Sequence, residues 1–313
     1  MVEYYKTIGN RIERLDEITD GCWINMVRPS SEELAHVIET LHVEPDFVRA
    51  ALDPEESSRV EVEEEQVLMI VDIPTVEREA DENGGQIFAT LPLGIIVVEN
   101  AVITVCLQET SVTRSIAEGV VKDIHTALKT RFVFQLLLRV AGRFLKYLRL
   151  IERNFSKIER RLYDSMKNEE LIQLLGLSKS LVYFSTSLKA NEVTMEKMLR
   201  GRILKLYEDD RDILEDGLIE IRQAIEMAGI YSSILSGTMD AYASVVSNNL
   251  NIIMKVLTVI TIIMTIPNII FSFYGMNIGD GAMPFNLFWW APLVIAAAGC
   301  IVAWFFLKKK NLY

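Results

Sequence analysis

Residues 251–277 read "NIIMKVLTVITIIMTIPNIIFSFYGMN", and this stretch decides the fold. Its part 251–274 is long and apolar enough to cross a bilayer as a helix. A second apolar stretch, "LFWWAPLVIAAAGCIVAWFFLKK", follows at 287–309 after a short connection. We therefore predict a transmembrane hairpin over 251–313, with spans at 251–274 and 287–307.

The charges at the ends of the two spans predict their orientation. Lys308, Lys309 and Lys310 follow the second span, and Lys255 lies just inside the start of the first, whereas the connection carries Asp280 and no Lys or Arg. Because cytoplasmic flanks are rich in Lys and Arg, both ends of the hairpin and the whole part before it are expected in the cytoplasm. Trp289 and Trp290 are then interfacial anchors on the outer side. The protein is thus predicted to be a multi-pass protein of the cell membrane.

One face of the first span is polar. Steps alternate between three and four residues along this set, which places its members on a single heptad seam: Asn251, Met254, Thr258, Thr261, Thr265, Asn268 and Ser272. We call these seven positions the polar stripe.

Two interpretations of the polar stripe are open. Thr, Ser and Asn commonly join membrane helices, so the stripe could be a packing face. It could also face water, as a stripe that runs the full span and ends at Asn277 favours. The second span has no matching polar positions, so the stripe's groups need other copies of the first span, water, or both. Several copies around an axis would form a pore.

The part before the membrane divides into two regions. Residues 1–128 are predicted to form an α/β domain with a mixed sheet, with strand-like runs at 22–27, 66–76, 86–100 and 101–107 and a helix after the N-cap Ser30. "DENGG" at 81–85 predicts a turn between two strands. Residues 129–250 are predicted to form long stalk helices, with breaks near 167–168 and near Gly201.

The composition excludes some functions. The formal charge is −11 in 313 residues, and the densest acidic run lies at 53–66. Such a charge argues against nucleic acid as a partner, and it fits either solubility or the attraction of cations. The cysteines Cys22, Cys106 and Cys300 are too dispersed for a disulfide framework, which predicts reduced thiols. We expect no signal peptide at the start.

A family resemblance rests on Tyr274, Gly275, Met276 and Asn277 at the outer end of the first of two C-terminal spans, with a lysine-rich tail. The chain resembles the CorA family of magnesium channels, and the likeness extends through "SNNLNIIMKVLT" at 247–258, the long helices and the α/β domain. It implies a homopentameric funnel that passes hydrated Mg²⁺, with the first span around the pore. Co²⁺, Ni²⁺ and Zn²⁺ are further candidate ions.

The resemblance assigns roles to individual residues. It implies a selectivity filter at Gly275, Met276 and Asn277, where the Asn277 carbonyl would accept hydrogen bonds from the waters of the ion. A narrow neck is implied at the cytoplasmic end of the span, and a basic collar is implied beside it. The neck comprises Asn251, Met254 and Leu257, the collar comprises Lys255, Lys308, Lys309 and Lys310, and the remaining pore-lining positions are Thr258, Thr261, Thr265, Asn268 and Ser272. The lysines are equally explained by topology and lipid headgroups.

Two departures from the family pattern are visible. The family follows Gly-Met-Asn closely with Met-Pro-Glu, whereas here Met283-Pro284 comes later and is followed by Phe285. Pro267 is displaced relative to the usual mid-span proline, so the resemblance assigns the pore positions around Thr265 and Asn268 only to within about one residue.

The family also senses intracellular Mg²⁺ through carboxylates between cytoplasmic domains. The resemblance points to Asp216 in "ILEDGLIEI", where bound metal would hold the subunits together and close the pore. The alternative for Asp216 is a solvated helix face.

Other functions are carried as alternatives. A zinc transporter of the related ZntB branch is the nearest, although His36, His42 and His125 lack ligand spacing. A non-conducting membrane sensor or scaffold is another, in which the polar stripe only packs. The sequence has no phosphate loop, His/Glu metal helix or nucleophile elbow, so an enzyme is not expected.

Overall fold

In the computed structural model, the described residues are 1–9, 11–76, 86–165, 168–200, 203–276 and 290–309. Contacts divide the chain into two compact units, Met1–Ser236 and Gly237–Tyr313. The three-part division at 128 and 250 stays a prediction. The predicted turn at 81–85 lies outside the described residues.

A mixed sheet organises the first unit. Within the described residues it has seven strands in the order β2-β1-β3-β7-β6-β5-β4, of which β3 and β7 run parallel and the other neighbours antiparallel. The strands are β1 Val2–Ile8, β2 Arg11–Leu15, β3 Cys22–Val27, β4 Arg59–Glu63, β5 Gln66–Val76, β6 Phe88–Val97 and β7 Ala101–Cys106. The predicted α/β class is confirmed, and β1, β2 and β4 are strands that sequence analysis did not predict.

Helices cover both faces of this sheet. Every residue of the parallel pair β3 and β7 is buried, as expected for strands with helices on both sides. On one face, Ile24 packs in a cluster with Val37 of helix α1 (Ser31–Leu41) and Phe47 of helix α2 (Pro45–Ala50). On the other face, the Trp23 ring lies 5.4 Å from the ring of Phe132. The core therefore has two layers, one on each side of the sheet.

Local capping explains why α1 begins at Ser31. The Ser30 hydroxyl accepts a hydrogen bond from the Glu33 N–H at 3.2 Å, and the Glu33 carboxylate accepts one from the Ser30 N–H at 2.8 Å. This reciprocal pair satisfies two N–H groups that the helix leaves open. The hydrogen bond from the Ser30 backbone is the main cause that lowers the pKa of Glu33. The predicted helix start is confirmed.

Long helices follow the sheet. The remaining helices are α3 Ser111–Ala117, α4 Lys129–Ser165, α5 Asn168–Leu199, α6 Glu208–Tyr274 and α7 Ala291–Lys309. The rings of Phe144 in α4 and Phe184 in α5 pack edge to face at 5.2 Å between centroids. At the start of α6, Asp210 is buried and accepts a hydrogen bond at 2.8 Å from the guanidinium of Arg131 in α4. The predicted long helices and the breaks between them are confirmed.

Among the described residues, two helices are long and apolar enough to cross a membrane, namely α6 and α7. Helix α6 continues without interruption through residue 251 and ends at Tyr274, where the first span was predicted to end. Helix α7 begins at Ala291, and the predicted start of the second span at 287 lies outside the described residues.

Candidate functional site on the first membrane helix

The polar stripe is presented outward by helix α6. All seven stripe residues are exposed within the single chain, and Leu257 of the predicted neck is exposed as well. Many neighbouring apolar residues of α6 are exposed too, including Met264 at 70%. Exposure alone therefore does not distinguish the polar stripe from the rest of the surface of α6. The position of α7 does distinguish it.

Helix α7 packs on the other side of α6. A side chain added at Gly299 would lie 2.9 Å from Ile266, and the thiol of Cys300 lies 3.5 Å from the carbonyl oxygen of Ile263. Val259 is buried on this side, and Ile270 is half-buried there. At about 100° per residue, the centre of this face lies roughly 140° from the centre of the polar stripe. Helix α7 is therefore not the partner of the polar stripe.

The threonines of the polar stripe direct their hydroxyl protons into their own helix. Thr258 donates to the carbonyl of Met254 at 2.7 Å, and Thr261 donates to that of Leu257 at 2.8 Å. Thr265 likewise donates to the carbonyl of Thr261 at 2.7 Å. Since a hydroxyl has one donor and two acceptor lone pairs, these bonds leave the lone pairs on the exposed side. The hydroxyl protons of these threonines therefore need no partner outside the helix. Only their acceptor lone pairs need other copies of the helix or water.

The outer end of α6 closes with a short turn. The N–H of Gly275 donates to the carbonyl of Phe271 at 2.9 Å, and that of Met276 donates to the carbonyl of Phe273 at 3.4 Å. Both residues are exposed, Met276 at 56%. Asn277, the third residue of the predicted filter, lies outside the described residues.

The predicted basic collar is exposed. Lys255 is exposed on α6, and Lys308 and Lys309 are exposed in the last turn of α7. Cations in that turn interact favourably with the carboxyl end of a helix. The Lys308 ammonium also lies 5.0 Å from the centroid of the Trp304 ring. Lys310 lies outside the described residues.

The predicted regulatory residue Asp216 is exposed on α6, one helical turn before Glu220. Burial is the main cause that raises the pKa of Glu220, and the charge of Asp216 raises it further, while Arg139 lowers it. The Oε2 atom of Glu220 is buried without a hydrogen-bond partner among the described residues. Within the described part of this chain, no group of three His, Cys, Asp or Glu residues could hold a metal ion.

Comparison with known proteins places this geometry in a family. Residues 18–309 match the family of CorA-like Mg²⁺ transporter proteins. The chain belongs to this family. It is similar to the cobalt/magnesium transport protein CorA of Methanocaldococcus jannaschii, with 28% identity over 283 residues that cover 86% of this chain and 85% of that protein.

Solved structures share the fold of this CorA-family chain. The complete CorA magnesium transporter from M. jannaschii has a TM-score of 0.84 and 24% identity, covering 99% of this chain and 98% of that one. The ZntB cytoplasmic domain from Vibrio parahaemolyticus has a TM-score of 0.62 and 12% identity, covering 79% of this chain and 98% of that domain. The predicted family, the α/β domain with long helices and the membrane hairpin are confirmed.

The CorA-family assignment defines what kind of protein this is. The family is one of membrane transporters and not an enzyme class. The two apolar helices at the C-terminal end agree with a membrane protein.

Sequence analysis missed one contact between the two apolar helices of this CorA-family chain. It noted Pro267 only for its register, and it did not connect that proline with Gly299 and Cys300 on the other span. A detectable signal existed, because a proline inside a membrane helix leaves a carbonyl that neighbouring groups must satisfy.

Proposed function

We propose that this protein is a homopentameric channel for hydrated Mg²⁺, in which the polar stripe of α6 from each subunit lines the pore. One observation carries the proposal: the stripe threonines donate their protons to their own helix and leave oxygen lone pairs on the side away from α7. A ring of such surfaces is a lining of hydrogen-bond acceptors.

This chemistry suits a hydrated dication. Mg²⁺ loses its first-shell waters reluctantly, so a protein that passes it does best to contact those waters. The waters are hydrogen-bond donors, and the stripe offers neutral acceptors at Thr258, Thr261 and Thr265. The segment 251–276 contains no Asp or Glu. A lining without carboxylates binds a dication weakly enough to release it.

The similarity to proteins named cobalt/magnesium transport protein CorA supports Mg²⁺ and Co²⁺ as transported ions. Ni²⁺ and Zn²⁺ are further candidate ions. The ZntB likeness is a likeness of fold and does not favour zinc transport.

We assign the two ends of the pore as follows. Gly275, Met276 and Asn277 form the outer filter, with the Asn277 carbonyl accepting from the waters of the ion. Asn251, Met254 and Leu257 form the neck, at which Met254 and Leu257 are 59% and 56% exposed and free to meet other copies around the axis. The basic collar lies at the neck end, with both termini in the cytoplasm.

Intracellular Mg²⁺ is proposed to close the channel at Asp216. Exposed carboxylates on neighbouring subunits repel each other, and a bound dication removes that repulsion, so metal stabilises the closed assembly. Replacing Asp216 by Asn should raise the internal Mg²⁺ needed to stop uptake. Unchanged inhibition by internal Mg²⁺ would assign Asp216 to a solvated helix face.

Uptake by proteoliposomes tests the proposed function. Purified protein is reconstituted in liposomes that contain a Mg²⁺ indicator, with Mg²⁺ outside and a negative potential inside. We expect uptake that cobalt hexammine, a fixed mimic of a hydrated cation, blocks. Protein-free liposomes are the control. A correctly assembled protein without uptake under these conditions would contradict the channel.

A further inference from the structure

Pro267 removes one hydrogen bond from the middle of the first membrane span. In an α-helix, the carbonyl of residue 263 accepts from the N–H of residue 267, and proline has no N–H. Pro267 lies inside α6, in the part that crosses the membrane. The Ile263 carbonyl therefore lacks its usual helical donor in a medium that offers no water.

A donor reaches this carbonyl from the other span. The Cys300 thiol of α7 lies 3.5 Å from the Ile263 carbonyl oxygen, within the range of a sulfur hydrogen bond. The S–H group is the donor of the cysteine side chain, and the carbonyl is the acceptor. The thiol thus takes the position that the missing N–H would have filled.

Gly299 allows the two helices to approach at this point. A Cβ atom at residue 299 would lie 2.9 Å from Cγ2 of Ile266, so close that the Ile266 side chain or the helices themselves would have to shift. Close approach of backbones at small residues is a common way in which membrane helices pack. The proline, the thiol and the glycine therefore form one contact, made by residues of both spans.

We propose that Cys300 is a positioning residue, whose thiol replaces the hydrogen bond lost at Pro267 and so fixes α6 against α7 at this point. Its effect on transport rests on the proposed function. Thr265 and Asn268 flank Pro267 in the chain and belong to the polar stripe. A change in the helix geometry at Pro267 would move these two stripe positions, so Cys300 would influence the pore without lining it.

Infrared spectroscopy tests the hydrogen bond itself. The S–H stretching band of Cys300 is isolated as the difference between the spectra of the reconstituted wild type and of Cys300→Ala, since Cys22 and Cys106 are present in both samples and cancel. We expect a band at lower frequency than that of a free thiol. Pro267→Ala supplies an N–H to the carbonyl and should move the band back toward the free value. A free-thiol band in the wild type would overturn the proposal.

A mutant cycle tests the consequence for transport. Loss of an interhelical hydrogen bond in a membrane changes a two-state population by about threefold. We expect Cys300→Ala to change the Mg²⁺ uptake rate by about that factor. Cys300→Ser keeps a donor and should retain the wild-type rate. In the Pro267→Ala background the Cys300→Ala substitution should have no further effect, because the backbone then satisfies the carbonyl.

Other outcomes separate this inference from the proposed function. Equal defects in Cys300→Ala and Cys300→Ser, or the same defect with and without Pro267, would refute positioning through the carbonyl. If the wild type showed a lowered S–H frequency but no uptake, the proposed channel function would be refuted and the hydrogen bond of Cys300 would still stand. Gly299→Ala should raise the S–H frequency by separating the helices, whereas Ala297→Val, at an exposed position of α7, should leave it unchanged.

Discussion

Polar side chains play opposite parts in the two units of this protein. In the first unit, Asn191 is 1% exposed and its side chain is satisfied by the chain itself. Its Oδ1 atom accepts from the Asp72 N–H at 2.9 Å and from the Ser58 hydroxyl at 2.8 Å, and its Nδ2 atom donates to the Asp72 carbonyl at 2.8 Å. In the second unit, stripe threonines satisfy only their donors and expose their acceptors.

The difference separates polar groups that hold the fold from polar groups that meet something outside the chain. Removing a buried, fully bonded amide leaves its partners without hydrogen bonds and costs stability. Removing an exposed acceptor lowers the stability of the monomer only a little. Any larger effect must therefore appear in the function that depends on what the acceptor contacts. The predictions below test this distinction in both units.

The largest effect is expected at the outer end of the polar stripe. Replacing Asn277 by Ala removes the amide that accepts from the waters of the ion, and uptake should fall to the level of protein-free liposomes. Size-exclusion chromatography should show an unchanged assembly. Uptake close to the wild-type rate would remove Asn277 from the filter and favour a scaffold.

In the first unit, Asn191→Leu should lower the stability of the fold and leave the polar stripe unchanged. Three hydrogen bonds are lost around a buried side chain, so the free energy of unfolding should fall by about 3 kcal/mol. Thermal unfolding of the purified protein measures this. Thr186→Val, which changes an exposed threonine of α5, is the matched control and should cost much less. Equal losses would mean that the Asn191 bonds contribute no special stability.

A smaller effect on uptake is expected in the middle of the polar stripe. Thr265→Val keeps the shape of the side chain and removes its hydroxyl, which should lower Mg²⁺ uptake about tenfold by leaving the waters of the ion without one ring of acceptors. Ile260→Val, at an exposed apolar position of the same helix that lies away from the polar stripe, should leave uptake unchanged. Equal uptake in Thr265→Val and the wild type would assign the stripe to packing.

The smallest effect concerns Asp72, beside Asn191. Burial raises the pKa of Asp72, while the neighbouring hydroxyl groups of Ser187 and Ser58 act to lower it. The folded state therefore holds this proton more tightly than the unfolded state, and this contribution to stability is lost as pH rises from about 4, the unfolded value. Asp72→Asn should match the wild type below that pH and exceed its unfolding temperature at pH 7. A constant difference across pH would contradict the raised pKa.

Much of this architecture could be predicted because its signals are local. The N-cap at Ser30, the helical period after residue 129 and the long apolar helix that ends at Tyr274 are all visible in contiguous sequence, and each was found in the structure. The polar stripe was predicted from spacing alone, since positions three and four residues apart share a helix face.

The remainder depends on contacts between distant segments. Asn191 meets Asp72 across 119 residues, and Cys300 meets Ile263 across 37. No periodicity in either segment indicates its partner. The stripe threonines were also expected to need hydrogen-bond partners outside their helix. In the structure, carbonyl groups of the same helix accept their hydroxyl protons. A local sequence pattern does not show which distant segments come into contact.

Cysteine accessibility tests most directly whether the polar stripe faces a water-filled axis. Single cysteines are introduced in the Cys300→Ser background of the reconstituted channel and exposed to a charged, membrane-impermeant thiol reagent. We predict that Thr258→Cys, Thr261→Cys and Thr265→Cys react and that uptake is blocked, whereas Val259→Cys and Ile266→Cys, on the side of α7, stay unmodified. Unreactive cysteines along the stripe in a protein that still transports Mg²⁺ would contradict the account.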